Sequence, residues 1–506
     1  MTAADALLNG EFATLSDLVR GHAVQRPEHI ALIDADRVRT YAALDTLVDR
    51  AAAAMQRDGL IKGECVGIVA ATSIEYLVVM LAALRAGGVA APLAPSSTAQ
   101  ALAAMVGDAA PRLLFFDAAA RESFPDLTPR ALPLDGAAFE AWLAPSDAMP
   151  APVALTPDDA FNVIYSSGTT GTPKGIVQSH AMRWQHIRRG RVTGYAADAV
   201  TLISTPLYSN TTLVSVVPAL AYGGTLVLMA KFDARRFLTL AQAHRVTHAM
   251  LVPVQYQRLM DLPDFDAFDL SAFRMKTCTS APFAASLKAD ILKRWPGGLV
   301  EIYGMTEGGG TMTLAAHLFP DKLHTVGRPV EGHVVKLIDE HGREVQPGEL
   351  GEVVGHSPAM MTHYLNQPVK TAEAEWFDDA GRRYIRTGDI GRFDADGFLT
   401  LVDHRKDMII SGGFNIYPSD LEAVLLLHPA VADAAVVGVP SREWGETPVG
   451  FVTLRAAAAP SEIRAFVAER VGKTQRLADV VVLDELPRSA IGKILKRELR
   501  DLYAGS

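Results

Sequence analysis

The chain is poor in cysteine, in aromatic residues and in excess charge, and it has no long apolar run. Among 506 residues only Cys65 and Cys278 are cysteines, which argues against a disulfide scaffold and fits a reducing compartment. Neither stands in a metal-ligand cluster, so both read as small buried apolar residues. Net charge is −9, so no basic field invites nucleic acid. The longest apolar stretches, such as 77–84, are too short to span a bilayer. The first twelve residues lack a basic region followed by an apolar one, and Ala504-Gly505-Ser506 is not a peroxisomal address. These absences predict a cytoplasmic protein without stable membrane insertion. No fixed-period repeat or low-complexity tract is visible. What is there is an ordinary globular composition, 49% hydrophobic and 21% charged, at a length that calls for two or more cores.

Against that plain background one segment stands out. Residues 165–175 read Tyr-Ser-Ser-Gly-Thr-Thr-Gly-Thr-Pro-Lys-Gly, crowding Ser166, Ser167, Thr169, Thr170 and Thr172 with Gly168 and Gly171 around Lys174. Glycines allow turns barred to bulkier residues, and successive N–H groups in such turns converge on anions. Hydroxyls and an ammonium add further donors. The apolar run 161–165 before it reads as a buried strand. A strand entering such a loop is a candidate phosphate grip. It is not the GxxxxGK[ST] loop, because Pro173 stands at the second glycine and Gly175 follows the lysine. An isolated Gly/Thr run is more often a flexible surface loop; the strand, the lysine and the later motifs weigh against that here.

Short apolar strands (65–70, 112–116, 200–204, 225–229, 248–252, 299–303) alternate with helix-like stretches (74–86, 234–243, 284–295). That alternation predicts parallel sheets covered by helices. From 326 to 402, short strands at 334–338, 352–355 and 398–402 are separated by Gly, Pro and Asp turns, which predicts a β-rich subdomain. Beyond Lys406 the pattern becomes α+β. A strand at 408–410 precedes a capping box, Ser419-Asp420-Leu421-Glu422, that should open a helix to 427. Strands at 434–439 and 451–454 and a helix near 461–471 follow. The predicted fold is α/β. A large N-terminal domain of helix-covered sheets spans 1–405 and includes the β-rich part at 326–405. A small α+β C-terminal domain spans 406–506.

Further polar groups sit beside predicted strands. Tyr303-Gly304-Met305-Thr306-Glu307 should project from a sheet's carboxyl edge, where ligands of open α/β sheets lie. A hydroxyl beside a carboxylate suits a phosphate oxygen and its Mg²⁺; alone, a Thr-Glu pair is more often a helix start. Arg386-Thr387-Gly388-Asp389 precedes a strand-like segment, and a fixed carboxylate can accept both ribose hydroxyls, although an Asp in a turn is ordinary. Pro487-Arg488-Ser489-Ala490-Ile491-Gly492-Lys493 places a lysine on a glycine-containing loop before a basic helix at 494–502. Surface lysines are common, so Lys493 carries weight only in company.

Together these motifs resemble the adenylate-forming superfamily: acyl-CoA synthetases, luciferases and the adenylation domains of nonribosomal peptide synthetases. Five segments occur in the family's order, at 165–175, 303–307, 387–389, 405–422 and 487–493. The resemblance implies an enzyme that makes an acyl-adenylate from a carboxylic acid and ATP, with Mg²⁺, and then passes the acyl group to coenzyme A. It implies that Ser166, Ser167, Gly168, Thr169, Thr170, Gly171 and Lys174 hold the β- and γ-phosphates. Thr306 would touch the α-phosphate and Glu307 would bind the metal. Asp389 would hold the ribose, with His404 or Arg405 beside it. Ser280, Ala281 and Pro282, with Tyr303 and Gly304, would line the adenine. Lys493 would bridge carboxylate and α-phosphate, where two anions must meet. Lys406 would be the hinge of a swinging small domain. Gly412, Gly413 and Phe414 would line the thiol's tunnel, and Trp444 and Arg476 would meet CoA; for Trp444 a plain packing role is an equal alternative.

Departures from the family text bear on nucleotide, CoA and acid. His404 stands where the family usually has arginine. Thr474-Gln475 replaces a Tyr-Lys pair, leaving Lys473 or Arg476 for CoA phosphates. Pro206-Leu207-Tyr208-Ser209-Asn210 replaces Pro-Leu-Phe-His, so the acyl pocket is unusual. Its expected lining is Tyr208, Asn210, Val254 and Gln255, then Thr279, Met305, Gly308, Gly309 and Met312. Small residues at 308–310 leave room for a ring or chain, or give flexibility. No base is evident in that lining, although Arg183 or Arg188 can lie nearer than sequence suggests. The expected substrate is a medium-chain, alicyclic or aromatic monocarboxylate. Loading onto a carrier protein is the alternative within the superfamily, and a non-catalytic nucleotide-binding regulator is the alternative outside it. Oligomeric state is open, a homodimer included.

Overall fold

The computed structural model describes residues 3–127, 131–166, 173–404, 407–411, 414–441, 445–472, 475–489 and 492–504. It divides into two compact units. The first joins Met1–Leu323, Pro329–Val334 and His356–Ile385; the second joins His324–Arg328, Val335–Gly355 and Arg386–Ser506. The second unit thus takes in segments from the predicted β-rich stretch together with everything beyond it. The boundary predicted at 405–406 lies outside the described residues.

The first unit is mixed α/β. One sheet runs Met312–Ala315, Gly298–Tyr303, Met275–Cys278, His248–Leu251, Val200–Ile203, Thr225–Leu228, Ile30–Asp34 and Arg37–Thr40. From Gly298–Tyr303 to Thr225–Leu228 every pairing is parallel. The other sheet runs His363–Tyr364, Lys174–Ser179, Ala160–Ser166, Val89–Leu93, Cys65–Val69, Leu113–Phe116 and Ala131–Pro133. The helix Ile74–Arg85 is apolar on all sides, as a helix packed between layers must be, and Ser73 caps it by accepting the Tyr76 N–H at 3.2 Å. Its side chains join those of both sheets in one core. Cys278 is buried as expected; Cys65 is only half-buried, with burial pushing its thiol up to about 11.

The parallel arrangement fixes where chemistry can occur. The strands Val200–Ile203, His248–Leu251, Met275–Cys278 and Gly298–Tyr303 all end on one edge. The segments that follow them, 204–209, 252–255, 279–282 and 304–307, therefore emerge side by side.

In the second unit, Val334–Ile338, Gly351–His356, Arg383–Phe393 and Leu399–His404 are successive neighbours in a sheet. Farther along, Val431–Ser441 pairs antiparallel with Gly445–Leu454, and Asp479–Val482 adds to it in parallel. Strand alternation sorts two cores. Val436, Val452 and Val480 meet Leu421, Leu425, Ile463 and Val467, whereas Val437, Val449 and Phe451 meet Leu486 and Leu499.

Two local expectations are corrected. Ser419 and Glu422 do not form a capping box. The helix Pro418–Leu426 opens on proline with Tyr417 as its cap residue, which makes no side-chain cap. The Ser419 hydroxyl instead donates to the Val402 carbonyl, and Glu422 accepts the Val436 N–H at 2.8 Å and pairs with Lys496 at 2.8 Å. Long-range partners outcompete the local cap. Likewise, 386–389 does not precede a strand but lies inside Arg383–Phe393, whose pairing with Leu399–His404 begins at Asp389.

Candidate active site

The glycine- and threonine-rich segment joins two antiparallel strands. Tyr165 pairs with Gly175 and Ser166 with Lys174, so the residues between them connect a hairpin. Ser167, Gly168, Thr169, Thr170 and Gly171 lie outside the described residues, as does the Ser166 side chain. The hairpin's root is pinned from two sides. Tyr165 donates to Asp108 Oδ2 at 2.8 Å, and the Leu365 N–H donates to the Gly175 carbonyl at 2.7 Å. Asn366 binds Asp108 in turn, at 3.0 and 3.2 Å. A Cβ at Gly175 would stand 2.9 Å from Val163 and 3.2 Å from the Asp108 carboxylate, so only glycine fits this crossing.

Thr306 and Glu307 form a turn, not a helix start. Glu307 is buried, and Tyr364 donates its phenol hydrogen to Glu307 Oε1 at 2.6 Å. The Lys174 ammonium lies 4.7 Å from the centre of the Tyr364 ring. Burial, then the charge and hydrogen bond of Glu307, push the Tyr364 phenol upward, so it stays a donor at neutral pH. Tyr364 was not anticipated from sequence. Only the pairing of His363–Tyr364 with Lys174–Ser179 places it here.

The turn after Glu307 is held by backbone. Gly308 has φ +75°, and a Cβ there would stand 1.9 Å from the Ala359 carbonyl oxygen. Close approach of two chain segments, rather than room for an acyl group, is what requires glycine at 308. Gly308→Ala should cost about 1–3 kcal/mol, read as a lower urea midpoint with adenylation lost alongside.

Other expected residues fall on the same edge. Ser280 has φ +83°, a left-handed conformation unusual for serine, and its hydroxyl is 2.6 Å from that of Thr211. Thr279, Ala281, Tyr208 and Asn210 are half-buried, as are Tyr303 and Met305; Gly304 and Pro282 are exposed. Met305 packs on the apolar cluster of Ile176, Met361 and Tyr364. Met312 and Gly309 are buried. Gln255 is a clamp: its amide donates to the Ser204 carbonyl at 3.2 Å and accepts the Val252 N–H at 3.2 Å. Gln178, also unanticipated, donates to the Thr306 carbonyl at 2.6 Å and to Asn210 Oδ1 at 3.5 Å.

In the second unit, Asp389 lies directly across the ladder from His404. The Thr387 hydroxyl donates to the Val353 carbonyl at 2.9 Å and accepts the Asp389 N–H at 3.0 Å, fixing the carboxylate's backbone. Lys493 is exposed at the end of a tight loop. There the Ser489 N–H donates to the Lys493 carbonyl at 2.8 Å and Gly492 takes φ +78°. Arg488 ties the loop down by donating to the Gly492 carbonyl at 2.7 Å and pairing with Asp433. Arg476 is exposed. Arg405, Lys406, Gly412, Gly413 and Trp444 lie outside the described residues, as do the side chains of His404 and Phe414.

The AMP-binding enzyme profile matches residues 19–365, and that of the AMP-binding enzyme C-terminal domain matches 420–493. The chain belongs to the AMP-binding enzyme family. Among its relatives in this family of adenylate-forming ligases, an indoleacetate–CoA ligase of Aromatoleum aromaticum is 33% identical, covering 97% of this chain and 98% of that one. The fatty acid–[acyl-carrier-protein] ligase ScoC of Streptomyces coeruleorubidus is 32% identical, covering 99% and 98%. Among solved structures, ATP-bound MatB from Rhodopseudomonas palustris superposes with a TM-score of 0.86 at 27% identity, covering 97% of this chain and 99% of that one. The family's alternating strands and helices are the α/β architecture found here, and among the described residues no helix is long and apolar enough to cross a membrane.

Proposed function

We propose that this AMP-binding enzyme is an ATP-dependent acid–CoA ligase, forming an acyl-adenylate and pyrophosphate and then an acyl-CoA and AMP. The observation that carries the reading is the group Thr306, Glu307, Tyr364 and Lys174 at the root of the Gly/Ser/Thr hairpin, on the edge where parallel strands end. A buried carboxylate oriented by a phenol beside a lysine suits a metal–polyphosphate. Mg²⁺ takes few carboxylates and completes its shell with phosphate oxygens, so the donor set fits it, with Glu307 as the protein ligand; when bound, the ion would offset phosphate charge.

This chain's own residues do the rest. Ser166 to Gly171 and Lys174 bind the β- and γ-phosphates, and Thr306 donates toward the α-phosphate. Ser280, Ala281, Pro282, Tyr303 and Gly304 form the adenine wall. Asp389, with His404 or Arg405, orients the ribose. Lys493 brings positive charge to the point where carboxylate and phosphate meet, and Lys406 is the hinge of the unit that carries it. Gly412, Gly413, Phe414, Trp444 and Arg476 serve the CoA arm. The acid has a medium-chain, alicyclic or aromatic skeleton, lined by Tyr208, Asn210, Thr279 and Met305. A cytoplasmic setting belongs to the same proposal.

Carrier-protein loading is the second reading, favoured by the likeness to ScoC. Pyrophosphate release and hydroxylamine trapping across an acid panel, with CoA or a carrier protein as acceptor, separate the two. The expected result is release with at least one acid and a thioester that forms with CoA. Release without CoA-dependent product demotes the ligase, and no release with any acid leaves a nucleotide-binding regulator.

A further inference from the structure

The helix His180–Gly190 begins where Ser179 ends its strand and caps it, accepting the Met182 N–H at 3.2 Å. Arg183 and His186 on this helix are buried, Arg189 is half-buried and Arg188 is exposed. Arg183 is engaged by neutral partners. Its Nε donates to Asn162 Oδ1 at 2.9 Å, one terminal nitrogen meets His186 Nδ1 at 3.2 Å, and the other donates to Gln178 Oε1. Because Gln178 donates to Thr306 and Asn210, the cluster starts one side chain behind the proposed reacting and acyl-lining residues. On its other side, His333 Nδ1 accepts the Thr311 N–H at 3.0 Å, just past the glycine turn.

An arginine and a backbone amide can only donate. Both imidazoles therefore accept at Nδ1 and carry hydrogen on Nε2. Among the described residues, neither Nε2–H nor the Arg189 guanidinium meets an acceptor. Among the described residues no carboxylate acts on the group either. Burial, then Arg189, Arg183 and His333, drive His186 well below its ordinary range, and burial, Arg189 and His356 lower His333 to about 4. Burial alone lowers Arg183 to about 9 and Arg189 to about 10. Other buried cations of this unit are answered directly: Arg85 by Asp45 and Asp49, Lys288 by Glu301, and Lys276 by the carbonyls of Trp295, Pro296 and Gly297. A buried guanidinium without a counterion is costly, and such groups concentrate where a ligand supplies the opposite charge.

We propose that Arg189, His186 and His333 form an anion subsite for the far end of the acid, making the substrate a carboxylic acid that bears a second carboxylate. This rests on the acid-activating reading above and deepens it. The expectation of a monocarboxylate came from the lack of a base in the lining, and the fold supplies bases directly behind that lining.

The test compares dicarboxylates with their monomethyl esters on the full-length enzyme, its Arg189→Gln variant and its Arg189→Lys variant. It reads pyrophosphate release and, without ATP, the shift in melting temperature caused by each acid. Wild type should favour the diacid in kcat/KM by roughly 10- to 100-fold, the range for one charged hydrogen bond. Arg189→Gln should bring the ratio near parity, Arg189→Lys should recover part of it, and the diacid should raise the melting temperature of wild type but not of Arg189→Gln. Equal use of ester and diacid by wild type overturns the proposal, as does an unchanged ratio in Arg189→Gln. Weakened ATP affinity with the ratio intact assigns the cluster to the nucleotide and overturns it too. No pyrophosphate from any acid, with diacid stabilisation lost in Arg189→Gln, defeats the ligase reading and leaves the subsite standing; absence of both defeats both.

Discussion

Replacing Lys493 by alanine should lower acyl-adenylate formation by roughly 10²–10³-fold or more, while thioester formation from a preformed adenylate falls far less. The asymmetry follows from charge. In the first half-reaction a carboxylate approaches a polyphosphate, and negative charge accumulates between two groups that repel. A cation fixed there stabilises the transition state more than either reactant. In the second half-reaction the adenylate is already made and that repulsion is gone. The setting of Lys493 suits the role proposed for it. It is exposed, yet its loop is fastened by Arg488 to Asp433 and to the Gly492 carbonyl. The helix Lys496–Ala504 that follows is anchored by Lys496 to Glu422 and by Arg500 to Asp407 at 2.9 Å. The backbone is thus held while the ammonium stays accessible. Rapid-quench measurement of each half-reaction checks the expectation, and equal losses in both would remove Lys493 from the adenylation step.

Much of this was legible in the chain because it is written locally. The strand before the hairpin, the strand before Thr306–Glu307 and the apolar helix at 74–85 each announce themselves in one short stretch. What escaped reading depends on partners far away in sequence. Tyr364 reaches Glu307 only through an edge strand of two residues. Asp108 fastens the hairpin from a helix 57 residues upstream of Tyr165. Ser419 and Glu422 carry a capping text, but the Val402 carbonyl, Val436 and Lys496 offer them tertiary partners that a helix end cannot match. Gly308 looked like space for a ligand; its φ and the Ala359 carbonyl make it a crossing point. The basic groups at 183, 186, 189 and 333 were visible as residue types, but their shared lack of an acid is a property of packing.

Glu307→Gln should reduce adenylation by about 10²-fold, and Tyr364→Phe by roughly 10-fold, the latter chiefly as a higher Mg²⁺ concentration for half-maximal pyrophosphate release. The glutamine keeps shape and one acceptor oxygen but loses the charge that a hard cation requires. The phenylalanine keeps the ring beneath the Lys174 ammonium and removes only the hydrogen bond to Oε1. On the proposed reading Tyr364 is a positioning residue: it would act through Glu307, not on the nucleotide. Its readout is a change in metal dependence with folding intact, because among the described residues its hydroxyl makes no other hydrogen bond and its backbone pairing with Ile176 is independent of the side chain's oxygen. Burial and Glu307 both raise the phenol's affinity for its proton, so the bond should persist across the neutral range. The Mg²⁺ effect of Tyr364→Phe should therefore be the same on either side of pH 7. Should that variant shift metal half-saturation by less than about two-fold while Glu307→Gln abolishes turnover, the carboxylate is oriented by something else and the phenol has no part in holding the metal.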